Sequence, residues 1–284
     1  MEFVEVSPRD GLQNEAVILS TAAKVELIER SAAAGARRIE VASFVNPRLV
    51  PQMADAEDVV AAIADRVDIV RIGLVLNTRG AQRALATAVD ELGVVCVASD
   101  AFGLNNQGAT SEATVEMAAD VLALAQAAGR RAQVTFAVSF GCPFEGAVPP
   151  ARVVDMARRL AAAGFDEVAL ADTIGIAHPI EVSRLVRYVV AAVSGVRIRA
   201  HFHDTRGMGV ANALAAADAG AEILDGSTGG VGGCPFAPGA AGNVASEGLA
   251  YAFGDALHLD RDRLLETAAW LHAALGRPDR AAVR

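Results

Sequence analysis

The sequence predicts an α/β fold, specifically a (β/α)8 TIM barrel with a short helical C-terminal extension. Eight short runs rich in β-branched residues occur along the chain, and each is followed by an alanine-rich stretch with helical periodicity. This alternation is typical of parallel strands joined by crossover helices, with one βα unit about every 30 residues. A doubly wound open sheet also fits the alternation, but eight units favour closure into a barrel.

The same pattern predicts where the elements begin and end. Ser20 and Thr21 are expected to cap the first helix, and Gly35 is expected to end it. The glycine-rich segment 226–243 suits neither helix nor strand and is predicted to be a mobile loop. The strands are expected near Phe3–Val6, Arg38–Ala42, Val70–Val75, Val94–Ala98, Gln133–Val138, Glu167–Ala171, Val196–Ala200 and Glu222–Asp225.

The chain length is compatible with one domain. At 284 residues the chain is long for a single core, but α/β barrels reach this size. No linker rich in proline, glycine or serine divides it, so we expect one catalytic domain over residues 1–284. The barrel is expected to occupy about residues 1–253, and a last helix is expected over about residues 261–275.

The composition argues against several classes of function. The net charge is −9 and no basic stripe is present, which argues against nucleic-acid binding. No apolar run approaches the ~20 residues needed to span a bilayer, and the N-terminal segment is not a basic signal sequence. We therefore expect a cytoplasmic protein with no membrane partner. The three cysteines are widely separated, which indicates neither a disulfide framework nor a zinc cluster.

Lysine usage limits the carbon–carbon chemistry that this chain can perform. Lys24, on the predicted first helix, is the only lysine in the sequence. A lysine Schiff base inside a barrel is therefore disfavoured. Carbon–carbon bond chemistry on this chain would need a metal ion instead.

Two histidines at the end of the predicted seventh strand are candidates for metal binding. If that strand continues past Ala200, His201 and His203 project from the same face, because side chains two residues apart do so. Two imidazoles on one face can share a metal ion. The alternative is a pair of histidines held only by hydrogen bonds.

Oxygen ligands for such a metal are available at other strand ends. Asp10 follows the first strand, and the alternative for it is a surface ion pair with Arg9. With Asn243, the set comprises two imidazoles and two oxygen ligands, with positions open for substrate or water. Mg²⁺ or Mn²⁺ is favoured over structural zinc because no thiolates complete the set.

Four motifs resemble those of the 3-hydroxy-3-methylglutaryl-CoA lyases, which are metal-dependent TIM-barrel enzymes with an Asp-Arg-Glu signature. The resemblance covers essentially the whole chain. The first and last motifs are specific to the lyases, whereas His-x-His-Asp is shared with condensing relatives such as isopropylmalate and homocitrate synthases. The motifs occupy Val4–Glu15, Asp172–Gly175, His201–Thr205 and Gly232–Asn243.

The resemblance implies specific roles for residues of this sequence. The divalent cation would be held by Asp10, His201, His203 and Asn243. Arg9 would stabilise a thioester enolate, Glu40 would complete the Asp-Arg-Glu set, and Cys234 would be the reactive thiol on the loop. Asp204 is a candidate for hydrogen bonding to a histidine. The substrate-binding residues are expected to be Arg9, Gln13, Ser43, Asp172 and Thr173.

The reaction implied by the resemblance is a retro-Claisen cleavage of 3-hydroxy-3-methylglutaryl-CoA to acetyl-CoA and acetoacetate. Departures from the family pattern at Leu49, Arg206 and Asn106–Thr110 leave the acyl chain open. The same chemistry on a citramalyl- or methylmalyl-type thioester, or an aldol-type reaction on a non-CoA acid, is therefore an alternative. A condensing synthase and a non-catalytic binding protein are less favoured. A homo-oligomer, dimeric or tetrameric, is expected from the family.

Overall fold

Eight parallel strands close into a barrel in a computed structural model that describes residues 1–233 and 242–278. Each strand pairs with its neighbours in chain order, and β1 closes the barrel by pairing with β8. The strands are β1 Glu2–Glu5, β2 Arg38–Ser43, β3 Val70–Val75, β4 Glu91–Val97, β5 Arg131–Ala137, β6 Glu167–Asp172, β7 Arg197–Phe202 and β8 Ile223–Gly226.

Helices follow the strands and surround the barrel. Single turns of 3-10 helix lie at Pro51–Met53, Thr228–Gly230 and Gly254–Leu257, and a π-helical turn spans Ser7–Gly11. The α-helices are α1 Thr21–Ala33, α2 Ala56–Ala62, α3 Thr78–Leu85, α4 Asp100–Asn106, α5 Ser111–Ala127, α6 Pro150–Ala163, α7 Pro179–Ala192, α8 Gly209–Asp218, α9 Ser246–Phe253 and α10 Arg261–Ala274. The predicted (β/α)8 barrel is confirmed, and α10 matches the predicted last helix.

The predicted strands differ from the observed ones mainly at their ends. β4 begins at Glu91, three residues before the predicted start at Val94. Glu91 is buried and forms an ion pair with Arg38, so this charged residue belongs to the strand. The first helix begins as predicted, because the Ser20 hydroxyl accepts a hydrogen bond from the Ala23 N–H.

The apolar core lies between the strands and the helices. Ile39 and Val41 of β2 point outward and belong to the same buried cluster as Ile28 of α1. The intervening residues point into the barrel, as the alternation of strand side chains requires. None of the helices in the described ranges is both long and apolar enough to cross a bilayer.

Charged side chains occupy much of the barrel interior. Arg38 forms ion pairs with Glu2, Glu91 and Glu167 at 2.5–2.9 Å, and Arg199 lies above this group. TIM-barrel interiors are ordinarily filled by branched apolar residues. Because a buried charge is costly unless it is paired, these arginines and carboxylates occur together.

Candidate active site

The first strand delivers Arg9 and Asp10 to the carboxyl-terminal mouth of the barrel. They lie on the π-helical turn Ser7–Gly11, in which Pro8 is the second residue. The Glu5 carboxylate anchors this turn by accepting hydrogen bonds from the N–H groups of Ser7, at 2.8 Å, and Thr228, at 3.0 Å. The turn is thereby tied to the segment that follows β8.

Glu40 of β2 holds the Arg9 side chain in place. The Oε2 atom of Glu40 accepts hydrogen bonds from Nε and Nη2 of Arg9 at 2.7 and 2.5 Å. Arg9 Nη1 donates to Asp10 Oδ1 at 2.5 Å. The guanidinium is therefore fixed between two carboxylates, and its remaining N–H groups are available to a ligand.

His201 and His203 project toward Asp10, as the sequence predicted. Their ring centroids are 5.2 Å apart. His201 is the second-last residue of β7. His203 directly follows the strand and forms an isolated β-bridge with Asn243. Within residues 1–233 and 242–278, Asp10, His201 and His203 form a group whose ligand atoms all lie within 4.8 Å of one another. This group is suited to a metal ion.

Asn243, the fourth predicted ligand, lies beside Asp10. Its Nδ2 atom donates to Asp10 Oδ2 at 2.7 Å. Gly232 permits this approach, because a Cβ at that position would lie 2.6 Å from Asn243 Nδ2 and the backbone φ is +110°.

One buried polar atom of this set supports a metal at this position. Within the described part of the chain, Oδ1 of Asn243 makes no hydrogen bond, and Nε2 is the His203 ring nitrogen that lies 4.0 Å from Asp10 Oδ2. Buried acceptors are ordinarily satisfied, so each such atom requires a partner. An imidazole nitrogen and an amide oxygen beside a carboxylate are suitable ligands for Mg²⁺ or Mn²⁺. The residues present therefore fit a divalent cation.

The surroundings of the site shift the pKa values of the three candidate ligands in different directions. Burial opposes ionisation of Asp10, but the charges of Arg9, His201 and His203 outweigh it and hold the pKa of Asp10 well below its usual range. Burial and the neighbouring His201 lower the pKa of His203 to about 4, so this imidazole is neutral at physiological pH. Burial lowers the pKa of His201, but Asp225 reverses the effect and raises it overall.

These residues line a cavity of about 410 Å³ at the barrel mouth. Its lining includes polar residues, among them Gln13 and Thr173, two of the predicted substrate-binding residues. It also includes the apolar residues Leu74, Leu76, Val95, Phe102, Ala137 and Ala171. The cavity can therefore accept a ligand with a polar end and an apolar chain.

Other candidates from the sequence lie elsewhere or outside the described residues. Ser43 and Asp172 are buried but do not line the cavity. The Asp172 carboxylate accepts hydrogen bonds from the Ile176 and Ala177 N–H groups, both at 3.0 Å, and shapes the loop before α7. Cys234 lies outside the described residues.

The expectation that Asp204 braces a histidine is wrong. The Asp204 carboxylate accepts a hydrogen bond from the Gly209 N–H at 2.7 Å and so caps the beginning of α8. Asp225 of β8 is the residue that braces His201, with 2.8 Å between Asp225 Oδ1 and His201 Nδ1. Asp225 is the last residue of the predicted eighth strand. Its position at the barrel mouth could have indicated that it lies near His201.

The sequence interpretation also missed Arg199. It lies on β7 two residues before His201, so both side chains point into the barrel, and it lines the cavity from below. The spacing of two residues between Arg199, His201 and His203 could have shown that all three side chains share the inner face of the strand.

Comparison with known proteins identifies the family. The HMGL-like family model matches residues 1–269. The chain belongs to this family. The family resemblance stated from the motifs is confirmed, as is the prediction of a carbon–carbon lyase.

Individual HMGL-like relatives align with nearly the whole chain. The (R)-citramalyl-CoA lyase of Chloroflexus aurantiacus is 42% identical, with 97% of this chain and 91% of the relative covered. The hydroxymethylglutaryl-CoA lyase of Pseudomonas mevalonii is 39% identical, with 99% and 94% covered. A solved HMG-CoA lyase from Acinetobacter baumannii, in complex with coenzyme A and 3-methylmalate, has a TM-score of 0.92 and 37% identity, with 98% and 92% covered.

Proposed function

We propose that this HMGL-like protein cleaves the C2–C3 bond of a 3-hydroxyacyl-CoA thioester with the help of Mg²⁺ or Mn²⁺. The main candidate substrate is 3-hydroxy-3-methylglutaryl-CoA, which yields acetyl-CoA and acetoacetate. The observation that carries this proposal is the group of Asp10, His201 and His203 beside the Arg9 guanidinium in one cavity. No lysine lines that cavity, so the chemistry is assigned to the metal group.

The cation site is assigned to Asp10, His201, His203 and Asn243. When bound, a divalent cation supplies a Lewis acid that polarises the 3-hydroxyl group and orients the acyl carboxylate. Asp10 remains ionised in this environment and His203 remains neutral, which are the states in which these side chains bind a metal.

Arg9 is assigned to the charge that develops on the departing thioester. Breaking the C2–C3 bond turns the 3-hydroxyl carbon into a carbonyl, releases the hydroxyl proton and leaves the bonding electron pair on the thioester enolate. Glu40 and Asp10 fix the guanidinium before the reaction. A donor that is oriented in advance stabilises the enolate oxygen without having to reorganise.

The enolate must then gain a proton at C2 to become acetyl-CoA. We assign this proton to the thiol of Cys234, because Cys234 directly follows Gly233, which lines the cavity. Asn14 Nδ2 donates to the Gly233 carbonyl oxygen at 3.0 Å, which places Gly233 against the segment after β1. A thiol is a competent acid toward an enolate.

Citramalyl-CoA is the second candidate substrate. It is supported by the similarity to the citramalyl-CoA lyase of Chloroflexus aurantiacus. Both candidates share a tertiary 3-hydroxyl group with a methyl branch, and the chain to the carboxylate differs by one methylene. One methylene changes the ratio of kcat/KM values for two substrates by only about 10- to 200-fold. The same site can therefore accept both substrates.

A panel of thioesters tests the proposal. Purified protein with Mn²⁺ is given each thioester, and acetyl-CoA is measured together with acetoacetate or pyruvate. We expect acetyl-CoA with acetoacetate from 3-hydroxy-3-methylglutaryl-CoA, and no release after addition of a chelator. Pyruvate from citramalyl-CoA alone would support the second candidate. Release that survives the chelator, or consumption of acetyl-CoA with a 2-oxo acid, would overturn the proposal.

A further inference from the structure

Arg199 is a buried guanidinium directly beneath the candidate active site. Its side chain is 1% exposed and is one of the largest fully buried side chains. Nη2 of Arg199 donates to Thr135 Oγ1 at 2.9 Å and to Gln133 Oε1 at 3.1 Å. Strand β5 therefore anchors the guanidinium inside the barrel.

Two carboxylates above Arg199 each connect it to a different part of the site. Glu40 uses Oε2 to hold Arg9, and its Oε1 lies 3.6 Å from Arg199 Nη2. Asp225 uses Oδ1 to hold His201, and its Oδ2 lies 3.5 Å from Arg199 Nε. Each carboxylate therefore has one oxygen on the site and the other facing the same guanidinium.

The surrounding charges show what Arg199 balances. Glu167 lies below it, with 3.9 Å between Glu167 Oε1 and Arg199 Nε, and Arg38 neutralises Glu167 from the other side. Glu40 and Asp225 are each 3% exposed, so removal of Arg199 would leave both with one buried oxygen facing no cation. Buried carboxylates in that state reorient or recruit water.

We propose that Arg199 is a positioning residue that orients Arg9 through Glu40 and His201 through Asp225. The inference rests on the proposed function, because it concerns the metal and enolate roles of those residues. Arg199 is neither a metal ligand nor a contact of the reacting atoms. It sets the direction in which both carboxylates present their upper oxygens.

The sign of the change in metal affinity separates positioning from a simple charge effect. A nearby cation repels a divalent ion, so if Arg199 acted only through its charge, its removal would tighten Mn²⁺ binding. If Arg199 orients His201 through Asp225, its removal weakens binding. Outer partners of metal-binding histidines contribute about 10- to 100-fold in affinity or activity.

The test measures Mn²⁺ binding by electron paramagnetic resonance of the free ion, without thioester, alongside kcat and KM at saturating metal. Arg199→Met is expected to weaken Mn²⁺ binding about tenfold and to lower kcat about 10- to 100-fold. KM is expected to change less than about threefold, because Arg199 does not contribute to binding of the thioester in the ground state. Arg199→Lys is expected to recover part of both losses.

The matched control is Arg38→Met, one layer lower in the barrel. Arg38 is also a buried arginine with three carboxylate partners, but its ion pairs do not include Glu40 or Asp225. The folded control is expected to lose thermal stability and to keep the Mn²⁺ affinity and kcat of the wild-type protein. Equal losses in the control would mean that Arg199 is merely structural, and would overturn the inference.

A second neutral variant and a double variant complete the test. Arg199→Gln keeps a donor for Thr135 and serves if Arg199→Met does not fold. Wild-type affinity and kcat in either folded neutral variant, or tighter Mn²⁺ binding, would overturn the inference while leaving the proposed function intact. In an Asp225→Asn background, Arg199→Met is expected to add little further loss of affinity. A wild-type protein that neither binds Mn²⁺ nor cleaves a thioester would overturn the proposed function and this inference together.

Discussion

Asp225 lies beside His201 with 2.8 Å between its Oδ1 atom and the His201 Nδ1 atom, which leaves the other ring nitrogen facing Asp10 and His203. A carboxylate in this position fixes the tautomer of a metal-binding histidine and raises its basicity. The proposed metal site is therefore supported by Asp225 from the barrel interior.

Replacement of Asp225 by asparagine is expected to weaken metal binding. Asp225→Asn removes the negative charge from the His201 hydrogen bond, and we expect Mn²⁺ affinity to fall about 10- to 100-fold. Isothermal titration calorimetry with Mn²⁺ measures the change. Asp90→Asn is the control, because Asp90 pairs with Arg71 away from the cavity. Equal affinities for Asp225→Asn and wild-type protein would exclude the bracing role.

Replacement of Glu40 by glutamine is expected to affect turnover far more than metal binding. Glu40 accepts two hydrogen bonds from Arg9 through Oε2, and glutamine cannot hold the guanidinium with the same charge. We expect kcat to fall by about a hundredfold, the usual cost of a misplaced catalytic group. Steady-state kinetics at saturating Mn²⁺ checks this. If Glu40→Gln lost its Mn²⁺ and kept its turnover, Glu40 would belong to the metal site instead.

The three cysteines are expected to differ sharply in reactivity. Burial raises the pKa of Cys96 to about 12, and Cys142 is buried at 3% exposure. Since the thiolate is the reactive form, both should resist alkylation in the native protein at pH 8. We expect brief iodoacetamide treatment, followed by peptide mass spectrometry, to label Cys234 first. Labelling of Cys96 or Cys142 ahead of Cys234 would contradict the assignment of Cys234 as the accessible thiol.

A matched variant links that labelling to the reaction. Cys234→Ala protein is expected to take up almost no label under the same conditions and to release acetyl-CoA more slowly. Unchanged turnover in Cys234→Ala would show that another group delivers the proton to C2.

Much of the fold and part of the site were predictable because strand periodicity is a local property. The β-branched runs located all eight strands, and the two-residue spacing of His201 and His203 placed both imidazoles on the inner face. The proximity of Asp10 and Asn243 to these histidines could be predicted only from the rule that the strand ends of a barrel meet at one mouth.

The residue that braces His201 was not predicted, because it depends on a contact between residues that are distant in the sequence. Asp225 is separated from His201 by 24 positions. Asp204 directly follows His203, but the chain leaves the strand after Phe202 and turns Asp204 toward the beginning of α8. Proximity in sequence was misleading there because the backbone changes direction.

The separation of metal binding from turnover in Arg9→Gln is the most direct test of the central claim, that Arg9 acts on the enolate beside a metal held by other residues. Mn²⁺ binding and acetyl-CoA release from the preferred thioester are measured on the same preparations of wild-type and variant protein. We predict Mn²⁺ affinity within about threefold of wild type and a kcat lower by about a hundred- to a thousandfold, since a preorganised donor to the developing oxyanion is lost. Loss of Mn²⁺ binding in Arg9→Gln, or turnover at the wild-type rate, would contradict it.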